Sequence, residues 1–221
     1  MRKLSAKWVP KCLNADQKRQ RWQSSQQILD FFFRRDPDDS LSRLVTMDET
    51  WFYHYDPETK QQSMEWRHSG SPRPKKFLEQ KSAGKVLASI FWDQDGILLI
   101  DYLPKGQTIN AECYSSLLVQ LKGILKEKRR GKVTKEVLFF HDNTPAHRAL
   151  ATQKKLAYLG FQCLDHPPYS PDLAPSDYHL FPGLKKKQLK DRHFSSDAEV
   201  FAAAETWLDN LLNFFWVACK S

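Results

Sequence analysis

Three aspartates, Asp48, Asp142 and Asp177, stand where strands and helices could bring them to one sheet edge. Asp142 is the plainest. The stretch "LFFHDNTPAH", residues 138–147, begins as a buried strand and delivers a carboxylate before Thr144-Pro145 restarts the chain as a helix. Such an Asp also suits a solvated turn, so its neighbours in space must decide. Asp48 lies within "RLVTMDETWFYHYDP" (43–57), a β-branched and aromatic run that reads as a strand. Two candidates exist for a third carboxylate, Asp172 and Asp177. Asp172, set between prolines, reads as a turn or cap residue. Asp177 follows Pro175-Ser176 and reads as a first-turn residue of a helix. Glu49 is no partner for Asp48, because adjacent strand side chains point to opposite faces.

Gathered carboxylates repel one another and need a cation to stay together. Oxygen-only ligands select hard divalent ions, Mg²⁺ or Mn²⁺. Two such ions activate a nucleophile and stabilise the leaving oxygen of a phosphodiester. The chain is basic to match: 34 Lys and Arg against 26 Asp and Glu give +8 and a pI near 9.3, which suits a polyanion. Its 221 residues make one large domain or two small ones, and 41% hydrophobic content excludes a disordered chain. The four cysteines are far apart and form no Cys-x-x-Cys pair, so buried, reduced thiols are expected, with no disulfide scaffold. His141 and His147 share a helix end, but without such a pair they do not make a zinc site. No apolar signal core or membrane-length run occurs, and the expectation is a soluble intracellular protein.

The elements that would position these residues follow from pattern and punctuation. Asn14 caps a first helix carrying Trp22, Ile28, Leu29 and Phe32, and "DPDDS" (36–40) reads as a loop. Residues 58–82 are polar, basic and proline-bearing, an extended excursion. Residues 85–104 read as a hairpin about Asp95-Gly96. A helix follows with Tyr114, Leu117, Leu118, Leu121 and Leu125 at helical spacing. After the "EVLFFHD" strand, residues 144–160 read as one helix, with Thr144 as N-cap, Pro145 at its first position and Gly160 closing it. "FQCLDHP" is a fifth strand. The proline-punctuated "PPYSPDLAPSDYHLF" leads into another helix, and "SSDAEVFAAAETWLDNLL" supplies one more, with Ser196 and Glu199 at capping-box spacing. This order predicts an α/β fold: a mixed five-stranded sheet, a three-stranded meander then alternating helices and strands, flanked by helices.

"WVP" (8–10), "TMDETW" (46–51), "HDN" (141–143) and above all "YSPDLAPSDYHLF" (169–181) resemble the mariner branch of the Tc1/mariner transposases. Thirty-four residues, 143 to 176, separate Asp142 from Asp177, as in that family. The resemblance runs from about residue 8 to about residue 212. It implies a ribonuclease H-like domain whose Asp48, Asp142 and Asp177 match the metal-binding triad, with Mg²⁺ (or Mn²⁺), two ions, as cofactor. It further implies cleavage of DNA at transposon ends and joining of the freed 3′ hydroxyl to a TA target, by a homodimer in the nucleus. Residues 58–82 match the family's clamp loop, which contacts the partner subunit and DNA, and Trp66 there reads as an interface anchor.

Relatives carry two helix-turn-helix domains before "WVP", whereas seven residues precede Trp8 here. The linker reads "WVPKCL", with Lys11-Cys12 where the family has His-Glu. After Leu212 the chain runs "NFFWVACKS" where relatives continue. The expected organisation is a linker and N-terminal helix over 1–40, then a DDD catalytic domain over 41–221 with a shortened C-terminus. DNA contact is expected at Lys185, Lys186, Lys187, Lys190 and Arg192, and at Arg73, Lys75 and Lys76 along the excursion. "LKEKRRGK" (125–132) reads as a nuclear-localisation or DNA-binding patch, or as a solvated helix end. Two other readings stay open: a non-catalytic binding module, and a nuclease without strand transfer.

Overall fold

A computed structural model of the chain describes residues 13–33, 37–55, 84–128, 137–167, 170–185, 189 and 192–218. At its centre lies Leu44–Tyr53 (β1), which pairs antiparallel with Lys85–Asp93 (β2) on one side. On its other side it pairs parallel with Val137–Phe140 (β4). Gly96–Leu103 (β3) and Phe161–Leu164 (β5) complete the order β3-β2-β1-β4-β5. The five-stranded mixed sheet expected from the pattern is therefore present, and β1 is the junction between its antiparallel and parallel halves.

The pleat of β1 sorts its side chains into two cores. Val45 and Met47 face one side, where they pack with Phe91, Phe139 and Phe161 and with Tyr114, Leu118 and Leu121 of Ala111–Lys128 (α3). Leu156 of Leu150–Leu159 (α5) closes that layer. Phe52 faces the other side with Ala88, Ile90 and Trp92. There it meets Leu180, Phe181 and Leu184 around Phe181–Leu184 (α6), and Val200, Ala204 and Leu208 of Asp197–Ala218 (α7). Both faces are dry, so a one-residue slip of β1 would turn each set into the wrong layer. The register is thereby fixed, and with it the face on which Asp48 stands.

Local chemistry explains most boundaries. Ala15–Phe33 (α1) starts at a reciprocal cap: Gln17 N donates to Asn14 Oδ1 at 2.8 Å, and Asn14 N donates to Gln17 Oε1 at 3.1 Å. Its Trp22 and Leu29 are exposed. The stretch read as a "DPDDS" loop is instead a short helix, Pro37–Arg43 (α2). Proline at its first position is pre-set for a helix, and Arg43 pairs with Asp39 at 3.3 Å one turn back. In the hairpin, Gly96 takes a positive φ of 126° as the first residue of β3, while Asp93 Oδ1 accepts from both Asp95 N and Gly96 N.

The helix expected over 144–160 is broken. Pro145–Arg148 (α4) ends at Ala149, whose ψ of 139° is extended, and α5 begins after it. Thr152 Oγ1 and Gln153 Nε2 donate to the carbonyls of Ala146 and His147, replacing the helical bonds lost at the break. Thr144 stands at the N-cap position but makes no side-chain cap bond. Gly160 closes α5 in the left-handed conformation, as expected. Cys113 and Cys163 are exposed, against the expectation of buried thiols. Among the described residues no helix is long and apolar enough to cross a membrane.

Candidate active site

The parallel ladder between β1 and β4 ends at Thr46 opposite Phe140. Two residues further along each chain, keeping the same face by the period of the pleat, stand Asp48 and Asp142. Asp48 remains within β1, opposite Ile90 of β2, while Asp142 lies just past the end of β4. Asp177 arrives from elsewhere, on a π-helical turn, Ser176–Leu180, that runs directly into α6. The turn is pinned by a buried hydrogen bond of 2.9 Å from Trp92 Nε1 on β2 to Ser176 Oγ. Of the two candidates for a third carboxylate, Asp172 is engaged by Arg21 of α1 in an exposed ion pair. It is Asp177 whose charge reaches Asp48.

Electrostatics separates the three. Burial, then the charges of Asp177, Glu49 and Asp142, push the Asp48 carboxyl up to about 8, against a bond from Glu49 N to its Oδ1 at 2.8 Å. Asp177 is also raised, first by the protein around it and then by Asp142, with Lys185 and His166 opposing. Asp142 goes the other way. Burial would raise it, but hydrogen bonds from His147 and Thr144 together bring it below the usual carboxylate range.

The donor to Asp142 is His147 of α4, fully buried at 1% exposure. Its Nδ1 lies 2.7 Å from Asp142 Oδ1, and its Nε2 lies 3.2 Å from Glu49 Oε1. Burial works against charge on this ring, yet the two carboxylates outweigh it and raise its pKa to about 9. His141 stacks on it with ring centroids 4.8 Å apart, and burial followed by His147's charge lowers His141 to about 3. Tyr114 OH is 2.8 Å from His141 Nδ1, tying this group into the α3 core. Glu49, Asp142 and His147 carry a donor set a metal could use. In this arrangement the two carboxylates address opposite nitrogens of the imidazole, which serves them as a hydrogen-bond donor.

Sequence reasoning set Glu49 apart from Asp48 and missed its link to Asp142 through His147. The available signal was the histidine five residues after Asp142, just inside a helix opened by Pro145. Beside Asp177 an open cleft of about 330 Å³ is lined by Glu49, Thr50, Trp51, Phe181, Pro182 and Lys185. Lys185 thus stands near the carboxylates. Arg192 is exposed, its guanidinium 5.7 Å from the Phe194 ring. Lys186, Lys187, Lys190, Arg73, Lys75, Lys76, Trp66 and the whole of 58–82 lie outside the described residues, as do "WVP" and Lys11-Cys12.

Comparison with known proteins bears on this arrangement. The family described as Transposase (partial DDE domain) matches residues 56–135. The Mariner Mos1 transposase of Drosophila mauritiana is 33% identical over 216 residues, 97% of this chain and 58% of that protein. The crystal structure of the Mos1 catalytic domain is 31% identical, with a TM-score of 0.75 over 95% of this chain and 89% of that one. The chain belongs to the mariner transposase family. Its sheet is the ribonuclease H-like sheet of a mariner catalytic domain. A Mos1 paired end complex with Mn superposes with a TM-score of 0.87 at 32% identity, covering 98% of this chain and 62% of that one. The chain thus spans about 58% of the length of the Drosophila mauritiana transposase.

Proposed function

We propose that this chain is the catalytic unit of a DNA transposase, cutting phosphodiesters at transposon ends and transferring the 3′ hydroxyl to a TA target. Asp48, Asp142 and Asp177 are the residues that would hold one or two Mg²⁺ or Mn²⁺ ions. Asp48 carries the reading. A carboxyl raised to about 8 by burial and by neighbouring acids is poorly served by its own protein, and a divalent cation relieves that cost. The all-oxygen character of the three side chains fits a hard ion. The Mos1 relative solved with Mn in a paired end complex supports the same assignment. Bound ions would supply Lewis acidity and lower the pKa of the attacking hydroxyl.

The chain's own residues do the rest. Asp142 comes already oriented and negative through His147, while Asp177 is held on a turn that Trp92 anchors. Lys185, beside Asp177 in the cleft, offers a cation to a phosphate, with Lys186, Lys187, Lys190 and Arg192 following it in sequence. Arg73, Lys75 and Lys76 would add contacts from a clamp segment about 58–82, inserted in a catalytic domain of 41–221 behind a linker and helix of 1–40. The working form would be a homodimer on DNA in the nucleus. The test is cleavage of supercoiled DNA with Mg²⁺ or Mn²⁺, followed by strand transfer from pre-cleaved ends. Cleavage lost on Asp177→Asn supports the reading. Cleavage without transfer leaves a nuclease, and neither leaves a DNA-binding module.

A further inference from the structure

Asp142 is bound asymmetrically. The bonds from Thr144 N at 3.1 Å and His147 Nδ1 at 2.7 Å both fall on Oδ1, and the Thr144 side chain adds a further hydrogen bond to the carboxylate. The charge of Asp142 acts on both Asp48 and Asp177, so the three carboxylates share one site. His147 is itself held from behind, where Glu49 Oε1 meets Nε2 at 3.2 Å and the Tyr114 and His141 rings pack at 4.1 and 4.8 Å. Pro145 starts the helix that carries it, and Gln153 Nε2 takes its carbonyl at 2.8 Å. A side chain of two rotatable bonds, at 1% exposure and clamped at both ring nitrogens, has one position.

We infer that His147 is a positioning residue: the bridge Glu49–His147–Asp142 sets which oxygen of Asp142 is offered to the metal and holds it there before metal binds. The inference rests on the proposed role of Asp142 as a ligand. Its physical basis is that an oxygen engaged twice in hydrogen bonds is a poorer donor to a cation than a less engaged one, and that a fixed carboxylate needs no ordering when the ion arrives. The bridge also joins β1 to the exit of β4, beyond the last ladder bond. Without it, Thr144 would be left to orient Asp142 at a strand end.

The two halves of the bridge can be separated chemically. An Asn amide nitrogen stands two bonds from Cβ, like His Nδ1, and can still donate to Asp142. A Gln amide nitrogen stands three bonds from Cβ, like Nε2, and can reach only Glu49. Mn²⁺ binding to the full chain, by calorimetry and by the electron paramagnetic resonance of free ion, reads the difference, with melting temperature followed in parallel. His147→Gln should weaken Mn²⁺ binding about tenfold or more, and His147→Asn should restore it to within about threefold of wild type, although both lose the ring and its packing. Equal losses in the two, or no loss in His147→Gln, overturn the inference. Should His147→Gln fail to fold, Glu49→Gln decides: it loosens the rear anchor and should weaken Mn²⁺ about threefold, while unchanged affinity overturns the inference. Wild-type binding that Asp48→Asn abolishes keeps the catalytic reading whatever the His147 pair does. No Mn²⁺ uptake by wild type overturns both.

Discussion

Asp48 and Asp142 occupy equivalent positions on adjacent parallel strands, yet the protein treats them oppositely. Asp142 is supplied with a cationic imidazole and a backbone N–H and falls below its ordinary pKa. Asp48 receives one backbone N–H and the repulsion of three acids, and rises to about 8. In the proposed metal site, one acid would be ready to bind an ion, while the other pays for its charge until an ion comes. The difference arises from where the strands end. Asp142, past the end of β4, can accept from the following helix, whereas Asp48 is still inside β1 and paired with Ile90 of β2.

The sharpest way to break this contrast is to neutralise each acid in turn. Asp48→Asn should reduce metal-dependent cleavage more than about a hundredfold, while raising the melting temperature of the metal-free protein by a few degrees. Asp142→Asn should lose as much activity but lower that melting temperature, because it strips His147 of a partner. Melting curves in chelator pointing the same way for both variants would erase the contrast. The contrast also predicts proton release. At pH 7 the Asp48 carboxyl holds a proton that a divalent ion displaces, so about one proton should leave per Mn²⁺ site. Calorimetry in two buffers of different ionisation enthalpy measures it, and metal affinity should rise with pH and level off above about 8.

A broader effect follows for the metal-free fold. Asp48 is raised from 3.8 to about 8, so its contribution to stability is complete below 3.8 and lost as pH rises through 8. His147 is raised from 6.5 to about 9, so its contribution is complete below 6.5 and lost as pH rises through 9. Both act in the same direction. Melting temperature in chelator should fall between about pH 4 and pH 9, most steeply between about 6.5 and 8 where both groups act, and saturating Mg²⁺ should flatten the fall by removing the Asp48 part. The smallest expected effect is at Trp92→Phe. It leaves the Ser176 hydroxyl without its donor, costs about 1 kcal/mol, and should weaken metal binding only modestly. A loss as large as that of Asp48→Asn would mean that the π-helical turn collapses without its pin.

Much of this was legible because strands advertise themselves. The β-branched and aromatic run around Asp48 and the apolar "VLFF" before Asp142 gave both the sheet and the two carboxylates. Punctuation gave the caps at Asn14 and Gly160. The break at Ala149 was hidden, since Ala is the best helix former, and only the contacts of Thr152 and Gln153 with the preceding turn show why the helix yields there. The short α2 was hidden for the opposite reason, because Asp and Pro mark loops and helix starts alike. Glu49 was set aside by a rule valid inside a ladder. His147 lies beyond the ladder, where the pleat no longer constrains who meets whom.

The π-helical turn bears on how this chain can change length. Its defining bond runs from Phe181 N to Ser176 O, five residues back, one more than an α-helix allows. Removing a single residue there would let the segment relax into an ordinary α-helix and swing whatever precedes the deletion by about 100° about the axis. Asp177 would then leave the face it shares with Asp48. The non-helical residues 170–174 before it have no such phase to keep, so insertions and deletions should be tolerated there and rejected within 176–181. A deletion scan across 165–181, read by Mn²⁺ binding, would draw that boundary as a step between two neighbouring residues.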